Sequence, residues 1–270
     1  MSPEGNSGAP VRIAVFGGVY SNHIALRAAI EDARSRGAQG LYCLGDLGAF
    51  GPYPNRVFPI LIDAGVEVVR GNYDDSISRG LEDCQCGYTD PRDNHFARLS
   101  YQYTYRETAP EWRRWMGGLP ASIRFEARGT RVLMCHGSPR EINEFLWEST
   151  CSTQFLAHLL AEHAADLVFV THTGIHWQRA LPDGGLFVNV GVLGRPANDG
   201  RTDVWYALID LASGQPPRVE FIPLPYDHHG LAREMRAEGL PEEFVETILT
   251  GWWTTCLEVL PAKERARGRF

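Results

Sequence analysis

A chain of 270 residues that is 44% hydrophobic can bury a large core, sufficient for one big α/β domain or two small ones, and one is the simpler expectation. Its net charge of −7 excludes a broad electrostatic footprint for nucleic acid or an anionic membrane, because phosphate backbones are held mainly by clustered Lys and Arg. A small phosphorylated molecule gripped by local groups stays compatible with that charge.

In chain order, MSPEGNSGAP (1–10) is polar and reads as a flexible N-terminus without the apolar stretch of a secretory signal. The apolar run VRIAVF (11–16) predicts a strand, followed by the turn GGVYSNH. A helix comes next, with Asn22 as its cap, Leu26, Ile30 and Ala33 on one face, and a stop near Gly37. LYCL (41–44) and VEVV (66–69) predict two more strands. From Asp90 to Leu119 the pattern turns wholly helical: Asp90-Pro91 starts one helix with Phe96, Leu99 and Tyr103 on a face, and a second carries Trp112, Trp115 and Met116. Strands follow at RVLMC (131–135), DLVFV (166–170), LFVNV (186–190), VWYALIDL (204–211) and RVEFIPLPY (218–226). The C-terminal extension, 226–270, contains the helix GLPEEFVETIL (239–249), the pair Trp252-Trp253, expected to tuck onto the domain, and a basic end. Alternation of apolar strands with helical segments places the chain in the α/β class, as a domain spanning 11–270 with a helical insert at 90–119.

Six cysteines, Cys43, Cys84, Cys86, Cys135, Cys151 and Cys256, show no disulfide-framework spacing. Reduced thiols and a cytoplasmic location are the expectation, and no run approaches a membrane span. An oligomer is compatible with the sequence.

Polar residues recur where the strands end. LYCLG is followed by Asp46, VEVVRG by Asn72, RVLMC by His136 and LVFVT by His172. In α/β sheets ligands bind at the carboxyl ends of strands, where loops converge and helix N-termini present free N–H groups. Singly, each is an ordinary turn or cap residue. Together, one carboxylate, one amide oxygen and two imidazoles form a mixed oxygen and nitrogen set suited to Mn, Fe, Zn or Ni.

Five blocks carry a family resemblance: LGDLGAFGPYPN (44–55), VVRGNYDD (68–75), MCHGSPREINEFLWE (134–148), FVTHTGIHW (169–177) and NVGVLGRP (189–196). In this order, each after a strand, they resemble the calcineurin-like metallophosphoesterase superfamily, in particular its compact bacterial phosphodiesterase group. The resemblance implies a four-layer αββα sandwich of two mixed β-sheets and a two-metal centre at the strand ends.

The motifs it implies are only half present. The D-x-H block falls on Gly18, Val19 and Tyr20, the histidine after the asparagine is Tyr73, and the second histidine of G-H-x-H is Gly174. Sorted by ion, the resemblance leaves the first metal with one of its four ligands. The second metal keeps all of its own, Asp46, Asn72, His136 and His172. The expectation is therefore one divalent ion, Mn, Fe, Zn or Ni, acting on a small phosphorylated molecule. Tyr73 replaces the usual proton-donating histidine, Tyr20 shapes the vacated pocket, and Asp74 orients the loop. His23 and His176 lie beside lost ligand positions as substitutes, although their shifted register favours surface or pocket roles. Two other readings compete: an inactive binding or regulatory relative, and a mononuclear non-haem metal enzyme.

Overall fold

The alternation in VRIAVF decides which way its side chains face. Ile13 and Val15 join one buried cluster, Ala14 and Phe16 another, as the two-residue period of a strand requires. The computed structural model describes residues 10–266, so the flexible segment expected over 1–10 falls, apart from Pro10, outside the described residues, as do the last four residues of the basic end. The strands are β1 (Val11–Phe16), β2 (Gly40–Cys43), β3 (Glu67–Val68), β4 (Ser122–Ala127), β5 (Thr130–Cys135), β6 (Leu167–Val170), β7 (His176–Ala180), β8 (Leu186–Val190), β9 (Val204–Leu211) and β10 (Arg218–Leu224). The helices are α1 (His23–Ser35), α2 (Val57–Asp63), α3 (Asn72–Arg79), α4 (Pro91–Glu107), α5 (Pro110–Gly117), α6 (Thr153–Glu162), α7 (His228–Ala237), α8 (Glu242–Thr250) and α9 (Ala262–Arg265).

Two five-stranded sheets result, ordered β10-β9-β1-β2-β3 and β4-β5-β6-β8-β7. In the first, β1, β2 and β3 run parallel, with β9 antiparallel beside β1. In the second, β5, β6 and β8 run parallel, and β4 and β7 close the edges antiparallel. Ile13, Val15, Met134, Phe169, Val188 and Ile209 fill the space between the sheets. Leu26 and Ile30 of α1 and Phe58 of α2 cover the outer face of the first sheet, and Leu156, Leu159 and Leu160 of α6 cover the second. Burial of a side chain as large as Phe169 stabilises the fold by roughly 2–3 kcal/mol. The layers are α, β, β and α, the architecture expected from the sequence.

Several elements differ from the sequence reading. Strands β4 and β7 lack the apolar runs of central strands because both are edges, where SIRFEA and HWQRA expose alternate residues. Strand β10 ends at Leu224, and its Pro223 is tolerated because that strand is also an edge. Leu99 does not share the buried face of Phe96 and Tyr103 but is exposed; at 100° per residue it lies some tens of degrees off their common line. Phe96 packs instead on Phe244 of α8, tying the helical insert to the C-terminal extension. The Trp112 ring stacks on Phe58 with centroids 4.8 Å apart, and the Trp115 ring meets it edge-on at 5.7 Å. Cys84 and Cys86 form a disulfide, correcting the expectation of reduced thiols, while Cys43, Cys135, Cys151 and Cys256 are free. A Cys-x-Cys pair leaves no framework spacing to read. Among the described residues no helix is long and apolar enough to cross a membrane.

Candidate metal centre

The parallel strands of both sheets end at one edge of the sandwich, and their next residues meet there. Asp46 follows β2, and Asn72 opens α3 just after β3. Asp46 has φ 55°, a left-handed conformation that costs an ordinary side chain about 1 kcal/mol or more and must be held by its surroundings. Asp74 supplies the hold. Its Oδ2 accepts the Asp46 and Gly71 amides, both at 2.8 Å, and its Oδ1 accepts the Leu47 amide at 3.0 Å. The Asp46 carboxylate in turn accepts the Tyr73 amide at 3.0 Å. The two loops approach so closely that a Cβ on Gly71 would fall 2.3 Å from Asp46 Oδ1, which explains the glycine before Asn72.

On the second sheet, His136 follows β5 and His172 follows β6. His136 Nδ1 lies 2.6 Å from the Leu44 carbonyl, which can only accept, so this nitrogen carries the proton. Its Nε2 therefore aims a lone pair at His172 Nδ1, 3.2 Å away, and at Asp46 Oδ2, 3.3 Å away. His172 has φ 66° and sits in a turn braced by Asn189, whose Nδ2 donates to the Thr171 carbonyl and to Thr173 Oγ1.

The ligand atoms of Asp46, His136 and His172 all lie within 4.8 Å of one another. Three acceptors facing one point repel unless a proton or a cation stands between them. Asn72, the neighbour of the Tyr73 whose amide binds Asp46, brings another buried acceptor. Its Nδ2 donates to the Cys84 carbonyl at 2.7 Å, so the amide is turned with Oδ1 outward, and that buried oxygen has no hydrogen-bond partner. One carboxylate, one amide oxygen and two imidazoles fit a borderline divalent ion.

The electrostatics agree with this geometry. Burial works against the Asp46 carboxylate, but the charge and hydrogen bond of His136, with His172, hold its pKa below the usual range. Burial likewise disfavours the His136 cation, yet the Asp46 charge outweighs it and raises the His136 pKa, so a proton is favoured where a metal cation would sit. His172 is pushed down to about 3 by burial and by His136, leaving it a neutral ligand near pH 7. Burial, then the Asp46 charge, lifts Asp74 to about 7, partly offset by its backbone hydrogen bonds.

The other expected residues go elsewhere. Tyr20 is buried over Gly18: a Cβ there would meet Tyr20 Cε1 at 2.5 Å, so the tyrosine ring fills the space of the missing D-x-H side chains. Gly174 has φ +82°, and a Cβ on it would meet Trp253 Cη2 at 2.8 Å and Arg195 Nη2 at 3.5 Å. The pocket expected at the first metal position is thus packed by Tyr20, Trp253 and Arg195. The Tyr73 hydroxyl donates to Ser100 Oγ at 2.9 Å, and burial raises its pKa well above the ordinary phenol value. That proton is engaged by α4 in this structure, which counts against Tyr73 as the proton donor to a leaving group. His23 Nε2 lies 2.7 Å from Glu234 Oε2 and 3.1 Å from Arg56, and the His176 ring packs on Trp205 and Phe221. Neither joins the triad. Sequence reasoning missed Asn189 and Arg195, although both stand in the block NVGVLGRP, and gave Trp253 only a packing role.

Comparison with known proteins follows the same lines. The family model described as calcineurin-like phosphoesterase superfamily domain matches residues 11–214. Uncharacterized protein MJ0912 of Methanocaldococcus jannaschii is 25% identical over 255 residues, covering 88% of this chain and 98% of that protein. Among solved structures, hypothetical protein PH1004 of Pyrococcus horikoshii superposes with TM-score 0.73 at 21% identity, covering 90% of this chain and all of that one (100%). A metallophosphoesterase from Sphaerobacter thermophilus gives TM-score 0.68 at 24% identity, covering 90% and 99%.

Proposed function

We propose that the chain, which belongs to the calcineurin-like phosphoesterase superfamily, holds one divalent ion between Asp46, Asn72, His136 and His172 and hydrolyses a small phosphorylated molecule. The observation that carries this reading is the contrast between the two halves of the site. Acceptors of Asp46, His136 and His172 converge within 4.8 Å, while the positions of the other ion's ligands are packed with side chains. A bound ion would act as a Lewis acid on a phosphoryl oxygen and acidify a water. The chain's own residues set the stage: Asp74 fixes the Asp46 loop, Leu44 fixes the His136 tautomer, and Cys84 fixes the Asn72 amide. With half of a two-metal clamp missing, turnover is expected to be slower or narrower in substrate range than that of a two-ion relative.

A second reading, a catalytically silent binding or regulatory relative, is favoured by burial, since the four residues are between 1% and 7% exposed. The two are separated by screening phosphomonoesters and phosphodiesters with Mn, Fe, Zn and Ni, using the wild-type chain and Asp46→Ala. Metal-dependent turnover that the substitution abolishes supports the hydrolase. Absence of turnover with every metal, or a variant that loses only melting temperature, supports the silent relative.

A further inference from the structure

Resting on the one-ion reading above, we propose that the Arg195 guanidinium stands in for the absent first cation and forms, beside the ion, an anion site for a terminal phosphate group. Arg195 follows β8 through the turn Gly191–Gly194 and is only 6% exposed. Its Cζ lies 3.6 Å over the Trp253 ring, with the Phe50 and Tyr20 centroids at 5.0 and 5.8 Å. Such contacts offset part of the desolvation of a guanidinium, but they satisfy none of its N–H donors. The buried Nε has no hydrogen-bond partner, and among the described residues no carboxylate forms an ion pair with Arg195. An unpaired buried cation is costly to keep, and a phosphate binding as its counter-ion would remove the cost.

Position points to the same ligand. Arg195 Nη2 is 3.5 Å from where a Cβ on Gly174 would be, the position of the missing histidine, and Tyr20 beneath it occupies the other lost position. A planar fork pairs with two oxygens of one phosphate group, and a terminal phosphate, carrying about −1.5 to −2 charge near pH 7, answers an unpaired cation more strongly than a singly charged diester. Tyr20 and Tyr88 both feel the Arg195 charge, and burial, the larger effect on each, keeps their hydroxyls protonated as donors. Tyr88 also lines a solvent-open cavity of about 550 Å³ between the 83–89 segment and α4, large enough for a small phosphorylated molecule. Cys84 and Cys86 line that cavity too, and the Asn72 amide reaches them at 2.7 and 3.5 Å, so the opening borders one of the proposed ion ligands.

The test titrates inorganic phosphate into the manganese-loaded full chain by calorimetry, for wild type, Arg195→Gln and Arg195→Lys, with metal content and melting temperature measured on each. Arg195→Gln is expected to keep its manganese and lose phosphate affinity by about 10- to 100-fold, the scale of charge-assisted hydrogen bonds. Arg195→Lys, which keeps the charge but not the fork, should fall between. Unchanged phosphate affinity in a folded, manganese-loaded Arg195→Gln overturns the proposal. Should the variants fail to fold, a tungstate-soaked wild-type crystal decides: oxygens within hydrogen-bond distance of Arg195 support it, and tungstate bound away from Arg195 overturns it. If wild type holds no ion, the one-ion reading fails by itself. Phosphate binding in that protein that still depends on Arg195 would support the anion site, and binding independent of Arg195 would overturn it.

Discussion

Substituting Gly174 tests whether the first metal position is packed shut. At φ +82° an alanine costs about 1–2 kcal/mol in backbone strain. Its Cβ would also lie 2.8 Å from Trp253 Cη2, where carbon atoms rest at about 3.5–4.0 Å, so ring or backbone must move by roughly 1 Å. Overpacking of that kind costs about 1–3 kcal/mol, for a total near 2–5 kcal/mol. In a chain of this size each kcal/mol moves the melting temperature by about 2–4 °C, so calorimetry should show a loss of about 4–20 °C. The partner substitution Trp253→Leu removes the clash and leaves the strain. In a double-mutant cycle with Gly174→Ala it should recover about 1–3 kcal/mol of coupling. If the two changes add within about 0.5 kcal/mol, Trp253 does not fill the vacated position and the packing argument fails.

Asp74→Ala strands the amides of Asp46, Leu47 and Gly71, so a loss of about 3 kcal/mol or more in denaturant unfolding is expected, with weaker metal binding; a neutral substitution would remove Asp74 as the loop's anchor. Tyr73→Phe deletes one buried hydrogen bond to Ser100 and should lower stability by about 1 kcal/mol while leaving the turnover number within twofold; a drop of a hundredfold would restore Tyr73 as the proton donor. The Arg12 hydrogen bond holds the Asp210 pKa below the ordinary value of about 3.9, so this pair's contribution is complete above that pH and fades as pH falls through the depressed native value. Wild type and Asp210→Asn should therefore differ in stability at pH 7 and converge near about pH 2 in parallel melts; a constant gap would contradict the linkage.

The strand ends were legible because the chemistry is local. An apolar run followed by Gly-Asp, Gly-Asn or His-Gly places one polar side chain at a strand terminus whatever the distant chain does, and the ligand atoms of Asp46, His136 and His172 do lie within 4.8 Å of one another. The α/β class followed from the same runs, and the four-layer architecture from the family resemblance of the five blocks. Contacts that reach across the chain were not legible. Trp253 meets Gly174, 79 positions away in sequence, and Tyr73 finds Ser100 on an inserted helix; neither partner is fixed by any local pattern. Edge strands β4 and β7 escaped because half of each faces solvent, diluting the apolar signal. His23 looked like a substitute ligand from its place beside a lost motif, but α1 carries it toward Glu234 of α7.

Counting ions bears most directly on the central claim. Protein purified with manganese, iron, zinc and nickel in turn, then measured by elemental analysis and by anomalous scattering from crystals, should show one ion per chain, within coordinating distance of Asp46, Asn72, His136 and His172. Two ions at the strand ends, or none with any of these metals, would contradict a centre in which one site is complete and its neighbour is filled by Tyr20, Trp253 and Arg195.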